Sequence, residues 1–177
     1  MPNNHTYEEI VRQPETWRET LEQVLGKRAE LSRIFAEIQP EEVLFTGAGT
    51  SCYISIAVAH LFQEQTGMTA KAVPASEIFL SPESVINRKK KTIIFGFSRS
   101  GNTTEVVRAI QYAQQNGLAE ECLGITGDPE SALAKTADDT IALPHIQEKS
   151  VVMTSSYTNM VLTAQLIAGL VSCDEAF

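Results

Sequence analysis

The chain has 177 residues, with 43% hydrophobic side chains, 20% charged side chains and a formal net charge of −8. That is an ordinary globular composition, and a chain this long builds one domain with a core of its own, or one domain with an appendage. The acidic balance argues against a nucleic-acid or anionic-membrane partner, and an anionic small molecule is bound only where local backbone dipoles attract it.

Thr6-Tyr7-Glu8-Glu9 reads as a capping box that opens a short helix, which Pro14 interrupts. A longer helix follows, with Trp17, Leu21, Val24, Leu25, Leu31, Ile34, Phe35 and Ile38 on one face. Gly26 costs it about 1 kcal/mol against alanine, and Gln39-Pro40 ends it. Residues 1–40 are thus expected to form a helical extension, and residues 41–177 the main domain. Residues 42–46 form a short apolar strand, followed by Gly47-Ala48-Gly49 and a helix through Thr66, with Gly67 at its C-cap. Residues 71–74 make a second, weaker strand. Arg88-Lys89-Lys90-Lys91 is read as a solvated loop. Residues 92–97 (TIIFGF) are the strongest strand, and a helix over 103–116 ends at Gly117. A fourth strand over 123–126, a short helix over 131–136, a fifth strand over 140–143 closed by Pro144, and an apolar helix over 151–171 complete the chain.

Five short strands alternating with helices predict an α/β fold, a flavodoxin-like three-layer sandwich with a five-stranded parallel sheet in the order 2-1-3-4-5. Cys52, Cys122 and Cys173 are far apart and lack C-x-x-C spacing. They suggest neither a zinc site nor a disulfide framework, and they fit a cytoplasmic location. The polar residues 1–7 do not read as a signal-peptide core, and no run of about 18 apolar residues is present to span a bilayer.

In such a sheet, ligands bind beyond the carboxyl ends of the strands where the order reverses, here between strands 1 and 3. The two most unusual loops fall at that place: Gly47-Ala48-Gly49-Thr50-Ser51 and Ser98-Arg99-Ser100-Gly101-Asn102-Thr103-Thr104-Glu105. Each opens a helix, whose first turn offers unpaired N–H groups and about half a positive charge. Small hydroxyls add donors, and glycine lets an anion approach. A phosphate is the ligand this chemistry suits, with plain helix capping as the alternative reading. The nucleotide motifs fail: Cys52 stands where G-x-G-x-x-G needs its third glycine, and there is no P-loop.

Together with Glu148-Lys149-Ser150-Val151-Val152-Met153-Thr154-Ser155, these two loops resemble sugar isomerase (SIS) domains over residues 43–171. The nearest pattern is the first of two SIS domains in glucosamine-6-phosphate synthase and in the tagatose-6-phosphate ketose/aldose isomerase family, some members of which are regarded as galactosamine-6-phosphate deaminases. The resemblance implies that Ser98, Ser100 and Thr103 hold a phosphate and that Gly49, Thr50 and Ser51 contact sugar or phosphate. It implies that residues from Val151 to Thr154 line the sugar pocket. The ligand implied is a hexose 6-phosphate, with no cofactor or metal. The synthase has glutamine at the position of Arg99, which is expected either to reach the phosphate or to point into solvent. It has serine at the position of Met153, where a hydroxyl contact is lost.

Aldose–ketose isomerisation moves a proton between adjacent carbons and needs a positioned acid–base group. Glu148 and His145, both near the expected pocket, are the candidates, with a loop or capping role as the alternative for Glu148. The double-domain relatives take their catalytic glutamate from the second SIS domain, so a second such domain or a homo-oligomer is the expected partner. A non-catalytic phosphosugar sensor is the alternative function.

Overall fold

The apolar runs of the chain become the strands of a single sheet. In the computed structural model, which describes residues 5–172, three helices come first: α1 (His5–Val11), α2 (Gln13–Gly26) and α3 (Arg28–Ile38). The α/β part follows as β1 (Glu42–Gly47), α4 (Thr50–Thr66), β2 (Thr69–Pro74), α5 (Ala75–Leu80), α6 (Pro82–Val85) and β3 (Thr92–Ser98). It continues with α7 (Thr104–Gln115), β4 (Glu121–Thr126), α8 (Ala132–Thr136), β5 (Asp139–Ala142), a 3₁₀ turn (Pro144–Ile146) and α9 (Ser155–Ser172). All strand pairs are parallel and the order is β2-β1-β3-β4-β5, the flavodoxin-like arrangement expected from the crossover pattern.

Alternation along the strands sends side chains to two separate cores. Val43 and Phe45 of β1 and Ile93, Phe95 and Phe97 of β3 meet α3, α4 and α9 on one face. Phe45 stacks on Phe95 at 5.3 Å between ring centroids and on Phe97 at 6.1 Å, so aromatic area supplies much of this core's apolar burial. Leu44 and Ile94 face the other way, toward α5, α7 and α8. On this second face Gly96 matters, because a Cβ there would lie 3.2 Å from side-chain atoms of Val106 and Ile110 of α7. The glycine draws α7 close to the sheet.

The helices differ from expectation in four places. Pro14 lies in the first turn of α2 rather than interrupting a helix, because its missing N–H has no partner to lose there. The long helix through Gly26 is two helices, broken at Lys27 (φ −92°, ψ 2°). Lys27 Nζ holds the break by bonding Glu30 at 2.8 Å and Asp139 at 2.7 Å. Residues 75–85 form α5 and α6, too short to show a helical period. Finally, α9 begins at Ser155 and not at Val151, for a reason that lies in the functional site. The basic run is a loop in which Arg88 Nε bonds Glu83 at 2.9 Å and Lys91 Nζ bonds the Ile38 carbonyl at 3.1 Å.

Candidate functional site

The pairing of Thr46 with Gly96 sets the carboxyl ends of β1 and β3 side by side. The chain then leaves β1 through α4, packed in the first core, and β3 through α7, packed in the second. Their loops diverge and open a crevice at this switch point.

After β3, Ser98 is buried and its Oγ lies 2.8 Å from Thr103 Oγ1. Thr103 is the N-cap of α7 in an extended conformation, yet its side chain makes no capping bond. A capping hydroxyl bonds an amide of its own helix, whereas this one is turned toward Ser98. Ser100 is exposed, and its Oγ accepts from the Asn102 amide at 3.2 Å. Asn102 fastens the loop to its neighbour by accepting from the Ala132 amide at 3.1 Å. Gly101 adopts φ +65°, and a Cβ on it would sit 2.0 Å from Ser131 Oγ. The loop is therefore pressed against the β4–α8 turn at a point only glycine allows.

After β1, Gly49 stands at the N-cap of α4 at φ 56°, ψ −127°, and being glycine has no side chain to cover the first-turn amides. Gly47 is required because a Cβ would meet the Ser51 backbone at 2.5 Å. Thr50 is exposed and Ser51 is 6% exposed. Cys52 is half-buried in the first turn of α4, and burial pushes the Cys122 thiol up to about 12. Cys173 lies outside the described residues.

The third segment is organised by Glu148, whose side chain is 1% exposed. Its Oε1 accepts from the Thr154 amide at 2.9 Å, Thr154 Oγ1 at 2.8 Å and the Ser156 amide at 3.1 Å. Its Oε2 accepts from Ser156 Oγ and from Arg99 Nη1, the latter at 3.1 Å. This carboxylate caps α9 and explains why the helix starts at Ser155: the Thr154 and Ser156 amides are taken by Glu148. Burial pushes the Glu148 carboxyl up, but the hydrogen bonds from Ser156 and Thr154 outweigh it and hold the group below its usual range. Arg99 does not simply point into solvent: its Nη1 is turned to Glu148. It is a quarter exposed and paired with Glu148, so it ties the β3 loop to the segment before α9. Val151 is 94% exposed, and the Thr154 hydroxyl is already committed to Glu148.

His145 belongs to a different neighbourhood. Its Nε2 lies 2.7 Å from Thr20 Oγ1 of α2. That hydroxyl donates to Asn159 Oδ1 at 2.6 Å, so it accepts from His145 and the ring carries its proton on Nε2. Burial lowers the His145 pKa; Glu19 opposes this and Arg12 adds to it. The structure thus brings Ser98, Arg99, Ser100 and Thr103 together with Glu148, and directs His145 toward α2. Sequence reading missed Glu9 and Ser156 as members of this region, and it gave Ser150 no role of its own within the third motif. Glu9, read as the end of a capping box, instead accepts from the Lys149 amide at 2.7 Å.

Two helix N-termini without side-chain caps, bordered by hydroxyls at the switch point of a parallel sheet, form the layout by which α/β domains take up anions. The chain belongs to the SIS domain family, which matches residues 38–169. It is 34% identical over 176 residues to the D-galactosamine-6-phosphate deaminase AgaS of Shewanella sp. (strain ANA-3), covering 92% of this chain and 45% of that protein. It is 32% identical over 166 residues to the D-galactosamine-6-phosphate deaminase AgaS of Escherichia coli, covering 88% of this chain and 43% of that protein. The crystal structure of tagatose-6-phosphate ketose/aldose isomerase from Escherichia coli superposes with a TM-score of 0.82 at 30% identity, over 93% of this chain and 47% of that one. The chain therefore spans less than half the length of these relatives.

Proposed function

We propose that this chain is the phosphosugar-binding domain of an enzyme that isomerises or deaminates a hexose 6-phosphate. The observation that carries the reading is the N-terminus of α7, which has no side-chain cap although Ser98, Ser100 and Thr103 all stand beside it. Those hydroxyls and the first-turn amides supply donors to a phosphate, with Thr50 and Ser51 on the α4 side of the crevice. The names of the relatives point to the ligand class, since both the deaminase and the ketose/aldose isomerase are named for hexose 6-phosphates.

Both reactions move protons at the carbonyl end of the sugar, remote from the phosphate, and need a base with a free lone pair. Glu148 is poorly suited, because its oxygens are occupied by Thr154, Ser156 and Arg99. Its role in this reading is to fix the segment carrying Val151 and Thr154 at the sugar side of the site. His145, bonded to Thr20 of α2, which in turn bonds Asn159 of α9, has a structural role in this reading. The acid–base group then comes from a second SIS unit. The face that receives this unit is the apolar groove between α2 and α9, about 580 Å³, lined by Trp17, Leu21, Val161, Leu162 and Leu166 among others.

Calorimetric titration with D-galactosamine 6-phosphate and D-tagatose 6-phosphate tests the binding reading. Ser100→Ala is expected to weaken binding by about 1–3 kcal/mol, the range for losing a hydrogen bond to a charged group. Unchanged affinity in this variant rejects the phosphate assignment.

A further inference from the structure

A single carboxylate joins the N-terminal helix to the loop ahead of α9. Glu9 Oε1 accepts from the amides of Lys149 at 2.7 Å and Ser150 at 3.2 Å, and Glu9 Oε2 accepts from Ser150 Oγ. Neither partner belongs to the apolar cores. No residue of α1 is buried, and in the loop Val151 and Val152 are 94% and 61% exposed. Among the described residues, the hydrogen bonds tying 149–152 to the rest of the chain run to Glu9 and, through the Ser150 carbonyl at 3.5 Å, to Arg99. Ser150 therefore sits between α1 and the loop that follows β3. Ser150 Oγ also donates to the Val152 carbonyl at 2.8 Å, which closes the loop on itself.

The surroundings favour an ionised Glu9. Burial pushes its carboxyl up, but the bonds from Ser150 and Lys149 outweigh this and the Glu148 charge, holding it below its usual range. Of the other charged groups near it, Glu8 lies 3.4 Å from His5, and Arg12 donates to the His145 carbonyl at 2.8 Å.

We infer that Glu9 is a positioning residue, a latch that keeps residues 149–152 in place beside the phosphate site so that the sugar meets a preformed surface. This rests on the phosphosugar reading. Ordering a free loop on binding costs affinity, and a latch removes that cost in advance. If releasing it lowers the latched fraction to about one tenth, phosphosugar affinity falls about tenfold, while a ligand touching only Ser98, Ser100 and Thr103 is unaffected.

The test compares wild type, Glu9→Ala, Glu9→Gln and Ser150→Ala. D-galactosamine 6-phosphate and inorganic phosphate are each titrated, and amide hydrogen exchange of residues 147–154 is followed without ligand. In Glu9→Ala the expected result is about tenfold weaker hexosamine phosphate binding, inorganic phosphate within about twofold of wild type, and faster exchange at Lys149 and Ser150. Ser150→Ala, which spares the two amide bonds, has a smaller effect. Glu9→Gln, which keeps one carbonyl oxygen for both amides, restores part of the loss. Unchanged exchange in Glu9→Ala overturns the latch, and equal weakening of both ligands overturns its specific link to the sugar. Failure of the wild-type chain to bind the sugar phosphate at all counts against the phosphosugar reading instead, and the exchange measurement still decides the latch.

Discussion

At Gly101 the loop after β3 has no freedom to change. Its φ of +65° disfavours any side chain, and a Cβ would fall 2.0 Å from Ser131 Oγ and 2.6 Å from Thr126 Oγ1. Gly101→Ala is expected to destabilise the protein by about 2–4 kcal/mol, adding left-handed backbone strain to overpacking. The same change pushes the Ser100–Thr103 segment off the β4–α8 turn, so phosphosugar affinity falls with stability. Urea unfolding checks the first effect and calorimetry the second. A variant as stable as wild type contradicts the close packing of this loop. Arg99, in the loop after β3, pairs through Nη1 with Glu148, whose side chain is 1% exposed.

At the scale of elements, α9 is anchored by polar groups at its N-terminus and by apolar ones along its length. Its first two turns carry the buried Ser155, Ser156 and Asn159, which bond Glu148, Thr16 and Thr20. Two pH windows follow. His145 has a pKa below its ordinary 6.5, because burial disfavours its charged form. The unfolded chain then binds more protons than the native one, and stability declines as pH falls below about 6.5. Glu148 and Glu9 lie below their ordinary 4.5, so the stability they contribute is present above that value and lost as pH falls through their folded pKa values. Thermal unfolding followed from pH 7.5 downward (about seven points) is expected to show an early decline and then a steeper one. His145→Gln removes the early decline alone. A flat midpoint through the first window shows that His145 charges at no cost in the native state.

For the whole molecule, two features bear on the proposed second SIS unit. The groove between α2 and α9 leaves Trp17 40% and Leu21 41% exposed, and the oxygens of Glu148 are occupied by Thr154, Ser156 and Arg99. On the proposed reading, a second SIS unit covers the groove and supplies the acid–base group. The 177-residue chain alone is then expected to bind a hexose 6-phosphate but to turn it over far more slowly than an ordinary enzyme, since losing one positioned acid–base group costs about 10²–10⁴-fold. A direct product assay at saturating substrate checks this. Turnover at about 1–10³ s⁻¹ shows that the chemistry resides within this chain, and Glu148→Gln and His145→Gln then identify its base.

The consecutive residues of this chain determined its sheet. Apolar runs such as 92–97, the glycines that end helices, and the right-handedness of parallel crossovers leave few topologies, and the order β2-β1-β3-β4-β5 is one of them. The two hydroxyl- and glycine-rich loops were legible for the same reason, since loops at a strand's carboxyl end in such a sheet are placed by the topology itself. What the sequence could not determine is which distant group each polar side chain meets. Arg99 pairs with a carboxylate 49 residues away, and Glu9 leaves its own helix for amides 140 and 141 residues away. The start of α9 at Ser155 depends on Glu148 reaching its first amides, and the break at Lys27 is held in part by Asp139, 112 residues on. Periodicity records how a segment buries its apolar face against whatever lies beside it. A hydrogen bond needs a particular atom at about 3 Å, and only the assembled tertiary structure decides which atom that is.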